Sequence, residues 1–139
     1  PALFRIAESL SVEAATFLRD QNLSKTDPIY SAGQRSVIAL ERIPKDHADA
    51  ELLLPPDVDG PVEAAIIRIR PNKKLSNHFF THKGKEMGYL ISGQLEMTVD
   101  SQVYEINPGD TIYLNKDTPG KWRNTGDTAA ELIWLKFPK

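Results

Sequence analysis

Short apolar segments separated by turn residues fill the chain from Arg35 to its end, and they constrain its fold more than any other feature. About ten such segments follow one another at spacings of about eight to twelve residues, which is typical of an antiparallel sandwich or barrel. Segments such as QLEMTVD alternate apolar and polar residues, so one face of each strand is expected to be buried. Turn signals separate the segments, for example at 57–60, Lys83-Gly84, Pro108-Gly109 and Gly126-Asp127. The pattern predicts an all-β fold.

The residues before these strands predict two further segments. In residues 1–20, apolar side chains follow helical spacing, and Ser11 fits the N-cap of a second short helix over Val12–Arg19. Two short helices cannot bury their apolar faces alone, so we expect them to pack on the rest of the chain, on a partner or on residues outside this sequence. The polar stretch 21–34 predicts a linker or a surface arm, which leaves 35–139 as the β-domain.

Composition excludes several classes of function. A chain of 139 residues with a net charge of -2 predicts one globular domain without an electrostatic preference for nucleic acid or anionic membrane. It has no cysteine, which excludes disulfides and thiolate chemistry and fits a cytoplasmic location. No apolar run approaches the roughly 18 residues of a membrane span, and no signal peptide is visible.

Two sequence motifs in the second half of the chain resemble those of the cupin superfamily. The stretch HKGKEMGYLISG matches the first motif at His82, Glu86 and Gly93, but Phe80 stands where metal-binding cupins have the first histidine of a His-x-His pair. The stretch NPGDTIYLNKDTPGKWRN matches the second motif at four positions, and Gly120 replaces its histidine. The four positions are Gly109, Asp110, Pro119 and Asn124. The resemblance covers about residues 60 to 137 and implies a cupin-type double-stranded β-helix, or jelly-roll, barrel.

The two replaced histidines weaken the expectation of a metal site. On a straight strand His78 and His82 would lie about 13 Å apart, too far to share one ion, so His78 does not simply replace the ligand lost at Phe80. We therefore predict no metal, no other cofactor and no catalytic residue. A bulge near Thr81 would bring His78 back, and any metal would then be held by His82, Glu86 and His78. A third interpretation makes His82 a structural histidine bonded to Glu86 or to a backbone carbonyl.

The same positions also predict a pocket for a small molecule. A jelly-roll barrel of this size can hold one ligand in its mouth. Gly120 leaves space where the motif has a histidine, and Arg68 could reach an anionic group, although a solvated outer face is the commoner place for such an arginine. The predicted ligand contacts are Phe80, His82, Glu86, Trp122, His78 and Arg68.

The N-terminal stretch PALFRIAESLSVEAATFLRD is similar to the last helix and exit turn of lambda-repressor-like helix-turn-helix domains. Together with a cupin barrel, this resemblance implies a bacterial transcription regulator of the XRE type, whose barrel senses a small effector and helps to form a dimer. Any contact with DNA would come from an upstream domain absent from this chain. The alternative is a helical arm that packs across a dimer.

We therefore predict the effector-binding and dimerisation domain of a helix-turn-helix regulator. A homodimer is expected to pair through edge strands at VIALER and at the final ELIWLKF. The competing hypothesis is a metal-dependent cupin enzyme, a dioxygenase or an isomerase. A third is a structural barrel that binds no ligand.

Overall fold

The computed structural model describes residues 28–55, 62–80 and 84–137. The predicted helices of residues 1–20, half of the predicted linker (21–27) and His82 lie outside the described residues. The β-domain is one compact unit that begins at Ala32. No helix in the described ranges has the length and hydropathy needed to cross a membrane.

A short 3-10 helix, Ala32–Gln34, precedes ten strands in the described part of the chain. The strands are β1 (Val37–Ile38), β2 (Ala48–Leu52), β3 (Glu63–Ile69), β4 (Lys74–Leu75), β5 (Lys85–Ser92), β6 (Leu95–Val99), β7 (Gln102–Ile106), β8 (Thr111–Asn115), β9 (Lys121–Arg123) and β10 (Ala130–Lys136). They form a six-stranded sheet in the order β1-β2-β3-β10-β5-β8 and a four-stranded sheet in the order β4-β9-β6-β7. All paired strands are antiparallel, and the predicted all-β jelly-roll barrel is confirmed.

Alternating side chains of both sheets build one core. In β3 every second residue from Ala65 to Ile69 is buried, and Leu132 and Trp134 of β10 are buried in the same way. Leu95 of β6 belongs to the same core and comes from the smaller sheet. The core therefore lies between the two sheets, as the period of two in the sequence predicts.

One predicted strand is largely absent. The segment KLSNHFFTH was expected to be extended, but among its described residues only Lys74–Leu75 belong to a strand. His78 and Phe79 are both buried, and two successive buried residues break the alternation that a strand requires. Asn77 donates a hydrogen bond from Nδ2 to the backbone oxygen of Arg42 and anchors this irregular segment at 3.2 Å.

The final strand is not an edge strand, which corrects the predicted route of dimerisation. β10 pairs with β3 on one side and with β5 on the other, so both of its edges form backbone hydrogen bonds within the larger sheet and neither is open to a partner strand. β1 does lie at an edge, next to β2. ELIWLKF is apolar on both faces, because Leu132 and Trp134 enter the core while Ile133 and Leu135 cover the outer face of the sheet. An apolar run of this kind marks a central strand more often than an edge.

Candidate ligand site

A histidine and a glutamate form a hydrogen-bonded pair inside the barrel. Nε2 of His78 lies 2.9 Å from Oε1 of Glu86, and the two side chains expose only 2% and 3% of their surface. Glu86 comes from the inner face of β5, where it alternates with the buried Gly88 and Leu90. His78 comes from the irregular segment after β4, so the straight-strand geometry assumed from the sequence does not apply to it.

Two tryptophans donate hydrogen bonds to this pair. Trp122 donates from Nε1 to Nδ1 of His78 at 3.3 Å, and Trp134 donates from Nε1 to Oε1 of Glu86 at 2.7 Å. Because an indole nitrogen can only donate, Nδ1 of His78 must be the acceptor, and the imidazole proton is assigned to Nε2. His78 therefore donates to the Glu86 carboxylate, and both of its ring nitrogens are engaged.

Aromatic rings enclose the four polar side chains of this network. Phe79 stacks on Trp122 with ring centroids 4.5 Å apart and meets Trp134 edge-on at 5.3 Å. His78 stacks on Trp122 at 5.9 Å and contacts Trp134 edge-on at 5.5 Å. These rings occupy the middle of the barrel. A buried polar network is stable only when its members are satisfied, and here the pair accepts hydrogen bonds from two neighbours, Trp122 and Trp134, away from the surface.

Gly88 makes room for one of these rings. Gly88 pairs across the sheet with Trp134, and a Cβ atom added to Gly88 would lie 2.3 Å from a carbon of the indole ring. The missing side chain lets the indole lie flat over β5 and reach Glu86. Gly88 thus belongs to the packing of the network.

The asparagine of the second motif has a structural task. Nδ2 of Asn124 donates to the backbone oxygens of Ile69, Arg70 and Thr128 at 2.8 to 3.1 Å, and its Oδ1 accepts from the amide of Gly126 at 2.9 Å. Asn124 is almost completely buried. It connects the loop after β9 to the end of β3. These hydrogen bonds explain why an asparagine occupies this position, which the sequence alone did not reveal.

The six predicted contact residues do not form one pocket in the described structure. Glu86, Trp122 and His78 come together, but as a closed network, and Phe80 is partly buried against the core. His82 is not described. The histidine that bonds Glu86 is therefore His78, in the structural role that the sequence suggested for His82.

Arg68 lies on the outer face of the larger sheet, away from the network. Its guanidinium donates to Glu131 at 2.7 Å and to Glu51 at 2.8 Å, and Glu51 also accepts from Arg35 at 2.7 Å. Glu131 and Glu51 raise the pKa of the Arg68 guanidinium, while Arg35 and Arg68 lower the pKa of the Glu51 carboxyl group. Arg68 is thus bound in an ion-pair network, and it does not join the predicted ligand contacts.

The described residues at the cupin motif supply no set of three metal ligands, and His82 of that motif is not among them. No group of three histidine, aspartate or glutamate side chains converges in the described ranges. His78 and Glu86 are bonded to each other, and the second nitrogen of His78 accepts from Trp122. A zinc or iron centre normally uses three protein ligands with free lone pairs.

An open cleft of about 450 Å³ lies at another place in the same barrel. It separates the edge strand β8 of the larger sheet from β6 and the edge strand β7 of the smaller sheet. Its floor is apolar and its rim carries hydroxyl and carboxyl groups. The residues that line it are Met97, Val99, Tyr104, Glu105, Ile106, Asp110, Thr111, Ile112, Tyr113, Leu114 and Asp117.

A type I′ hairpin holds one wall of the cleft. Asp100 and Ser101 join β6 to β7 with φ angles of 48° and 70°, the positive values that this tight turn requires. The register of the hairpin pairs Met97 with Tyr104, so both side chains point to the inner face. Tyr104 is nevertheless 48% exposed, because the cleft opens beside it.

The sequence contained a weak sign of this cleft. By alternation, Gln102 and Tyr104 of QVYEI occupy inner-face positions together with Ile106. A polar residue and a tyrosine at positions that should be buried indicate a place where the two sheets do not close on each other.

Comparisons with known proteins agree with this fold. The Cupin domain family matches residues 65–136. Protein SchB of Streptomyces halstedii is 26% identical over 110 residues, which are 76% of this chain and 79% of SchB. The structure of the plu4264 protein from Photorhabdus luminescens is 19% identical with a TM-score of 0.66, covering 82% of this chain and 90% of that one. A sugar phosphate isomerase of the cupin superfamily from Silicibacter pomeroyi has the same TM-score, 0.66, at 15% identity, covering 81% and 76% of the two chains.

Proposed function

The chain belongs to the Cupin domain family, and from this we propose that it binds a small organic molecule, without metal chemistry or catalysis, in the cleft between β6, β7 and β8. One observation carries the proposal. The cleft has the volume, the apolar floor and the few polar groups of an ordinary ligand site, since such sites measure about 300 to 1,000 Å³. The His78–Glu86 pair, by contrast, is closed by aromatic rings and has little exposed surface.

The finer proposal is that this barrel is the effector domain of a transcription regulator in the cytoplasm. Its support is the resemblance of the N-terminal stretch to a helix-turn-helix domain, because the Cupin domain match concerns the barrel only. A ligand can regulate only if it binds one arrangement of the domains more tightly than another. A full-length protein that carries a complete helix-turn-helix and changes its operator affinity with the ligand would support this role, and one without such a domain would contradict it.

A homodimer through the outer face of the larger sheet is part of the proposal. Successive strands place apolar side chains on this face, where a monomeric barrel would have polar ones. Ile66 pairs with Ile133, and Ile133 pairs with Tyr89, which is 43% exposed. Tyr89→Glu should lower the molar mass measured by light scattering from dimer to monomer. The control is Val103→Glu, an exposed apolar position on β7 of the other sheet. Equal effects of the two variants, or a monomeric parent, would contradict this interface.

The ligand proposal is tested by blocking the cleft. The purified protein is screened by thermal shift against small amines, acids and neutral aromatic compounds, and each hit is titrated. Val99→Trp, at the partly buried end of β6, should fill the cleft and abolish binding while the melting temperature of the free protein changes little. A ligand whose affinity survives Val99→Trp, or a screen without hits, would contradict the proposal.

Elemental analysis separates the proposal from the metal-enzyme hypothesis. Protein purified without added metal should contain far less than one equivalent of iron, zinc, manganese or nickel. Stoichiometric metal that is lost on His78→Ala or Glu86→Ala would favour the enzyme, because those two side chains would then be ligands.

A further inference from the structure

We propose that the cleft between β6, β7 and β8 selects an organic cation, a compact apolar body that carries a protonated amine. The inference rests on the proposed ligand-binding function and names the chemical class of the ligand. It follows from the chemistry of the floor, the charge of the rim and the position of two tyrosine rings.

The floor of the cleft requires an apolar ligand body. Met97 and Ile106 come from the smaller sheet, and Ile112 and Leu114 come from β8 of the larger sheet. All four belong to the hydrophobic core, so a ligand that enters the cleft covers the edge of that core. Burial of apolar surface stabilises such a complex in proportion to the area removed from water.

The rim of the cleft is negatively charged. Three of the lining residues are acidic, Glu105, Asp110 and Asp117, and none of the described lining residues is lysine or arginine. Asp110 accepts a hydrogen bond from the amide of Asn107 at 2.8 Å, which keeps it in the turn between β7 and β8. Glu105 and Asp117 form no ion pair with a described residue, so no neighbour neutralises their charges. Glu105 alternates with the inner-face residues Tyr104 and Ile106, so its carboxylate belongs to the outer side of the rim at the edge strand β7. A cation is attracted by this rim and an anion is repelled.

Two tyrosines add a second preference for cations. Tyr104 and Tyr113 line the cleft from β7 and β8, and they are 48% and 58% exposed. The face of an aromatic ring attracts an ammonium group within about 6 Å of its centroid. Rings and carboxylates at one opening form a combination suited to an amine.

Three indole compounds of nearly equal size test the inference. Tryptamine is a cation, tryptophol is neutral and indole-3-propionate is an anion at pH 7. Affinities are measured by calorimetry at low salt. Tryptamine should bind at least about tenfold more tightly than indole-3-propionate, and the difference should shrink at about 0.5 M salt because exposed charges are screened.

Matched variants test whether the carboxylates of the rim cause the preference for tryptamine. The double variant Glu105→Gln/Asp117→Asn should reduce the advantage of tryptamine over tryptophol by about three- to tenfold, since each exposed charge contributes modestly. The control double variant Glu41→Gln/Asp127→Asn removes the same two charges at exposed positions outside the cleft and should leave the advantage unchanged.

Each outcome decides the question. If the three compounds bind equally, or the anion binds best, and Val99→Trp abolishes that binding, the cation preference is wrong and the ligand-binding function stands. If tryptamine keeps its advantage in the double variant, the carboxylates do not select it and the inference is wrong. If none of the three compounds binds, the inference is also wrong. The thermal-shift screen against small amines, acids and neutral aromatic compounds then tests the proposed function independently.

Discussion

The interior network and the open cleft are two polar regions of one barrel. The polar groups of the network are buried and bonded to one another, whereas those of the cleft are exposed. In the interior, His78, Glu86 and the two tryptophans satisfy one another and are sealed by aromatic rings. In the cleft, Glu105 and Asp117 have no ion-pair partner among the described residues and face solvent beside an apolar floor. The first region uses polar groups to stabilise the fold, and the second leaves them available to a ligand.

This difference shows why a familiar motif does not locate the site by itself. Glu86 occupies the position that the cupin motif predicts for it, but its hydrogen bonds are used within the core. With Gly120 and Phe80 at the histidine positions, the described surroundings supply indole donors and packed rings instead of a set of metal ligands. Fold and motif therefore establish the family, whereas function has to be argued from the groups that remain open.

The largest expected effect comes from removing the acceptor of the interior network. Glu86→Ala leaves the Nε2–H group of His78 and the Nε1–H group of Trp134 buried without an acceptor. We expect the free energy of unfolding to fall by about 3 to 5 kcal/mol. Glu105→Ala in the cleft removes an exposed carboxylate and should change it by less than about 0.5 kcal/mol. Urea unfolding followed by tryptophan fluorescence measures both values.

Glu86→Gln is a conservative variant that tests the same hydrogen bonds even if Glu86→Ala does not fold. Glu86→Gln keeps an oxygen that can accept from His78 or Trp134, so it should lose about 1 to 2 kcal/mol at most. Equal stability losses for Glu86→Ala and Glu105→Ala would mean that the interior hydrogen bonds contribute nothing beyond those of the surface.

The regular part of the fold could be predicted because it depends on local alternation. Strands β3, β5, β6 and β10 each bury every second residue on the inner face, and the sequence shows this period directly. The antiparallel barrel follows from the number and spacing of such segments. The segment of His78 and Phe79 could not be predicted, since its burial depends on contacts with Trp122 and Trp134, which are 43 or more positions away along the chain.

The cleft was harder to predict for a different reason. Its residues come from three successive strands whose patterns predict ordinary walls of a barrel. Nothing local in the sequence states that β7 and β8 stay apart at the edges of their two sheets. Only the inner-face positions of Gln102 and Tyr104 indicated the opening, and a polar residue and a tyrosine in an edge strand are also compatible with a closed barrel.

A smaller effect is expected from two glycines that differ in the space around them. A Cβ atom on Gly88 would meet the indole of Trp134 at 2.3 Å, whereas one on Gly120 would have no neighbour within 4 Å. Trp134 is almost completely buried and cannot turn away, so Gly88→Ala should lower the free energy of unfolding by about 1 to 3 kcal/mol through overpacking. Gly120→Ala should change it by less than about 0.5 kcal/mol. Urea unfolding compares the two variants, and near-ultraviolet circular dichroism should show the displaced indole only in Gly88→Ala. A stable Gly88→Ala protein with an unchanged spectrum would mean that the interior rings are loosely packed, and the contrast between a sealed interior and an open cleft would then lose its physical basis.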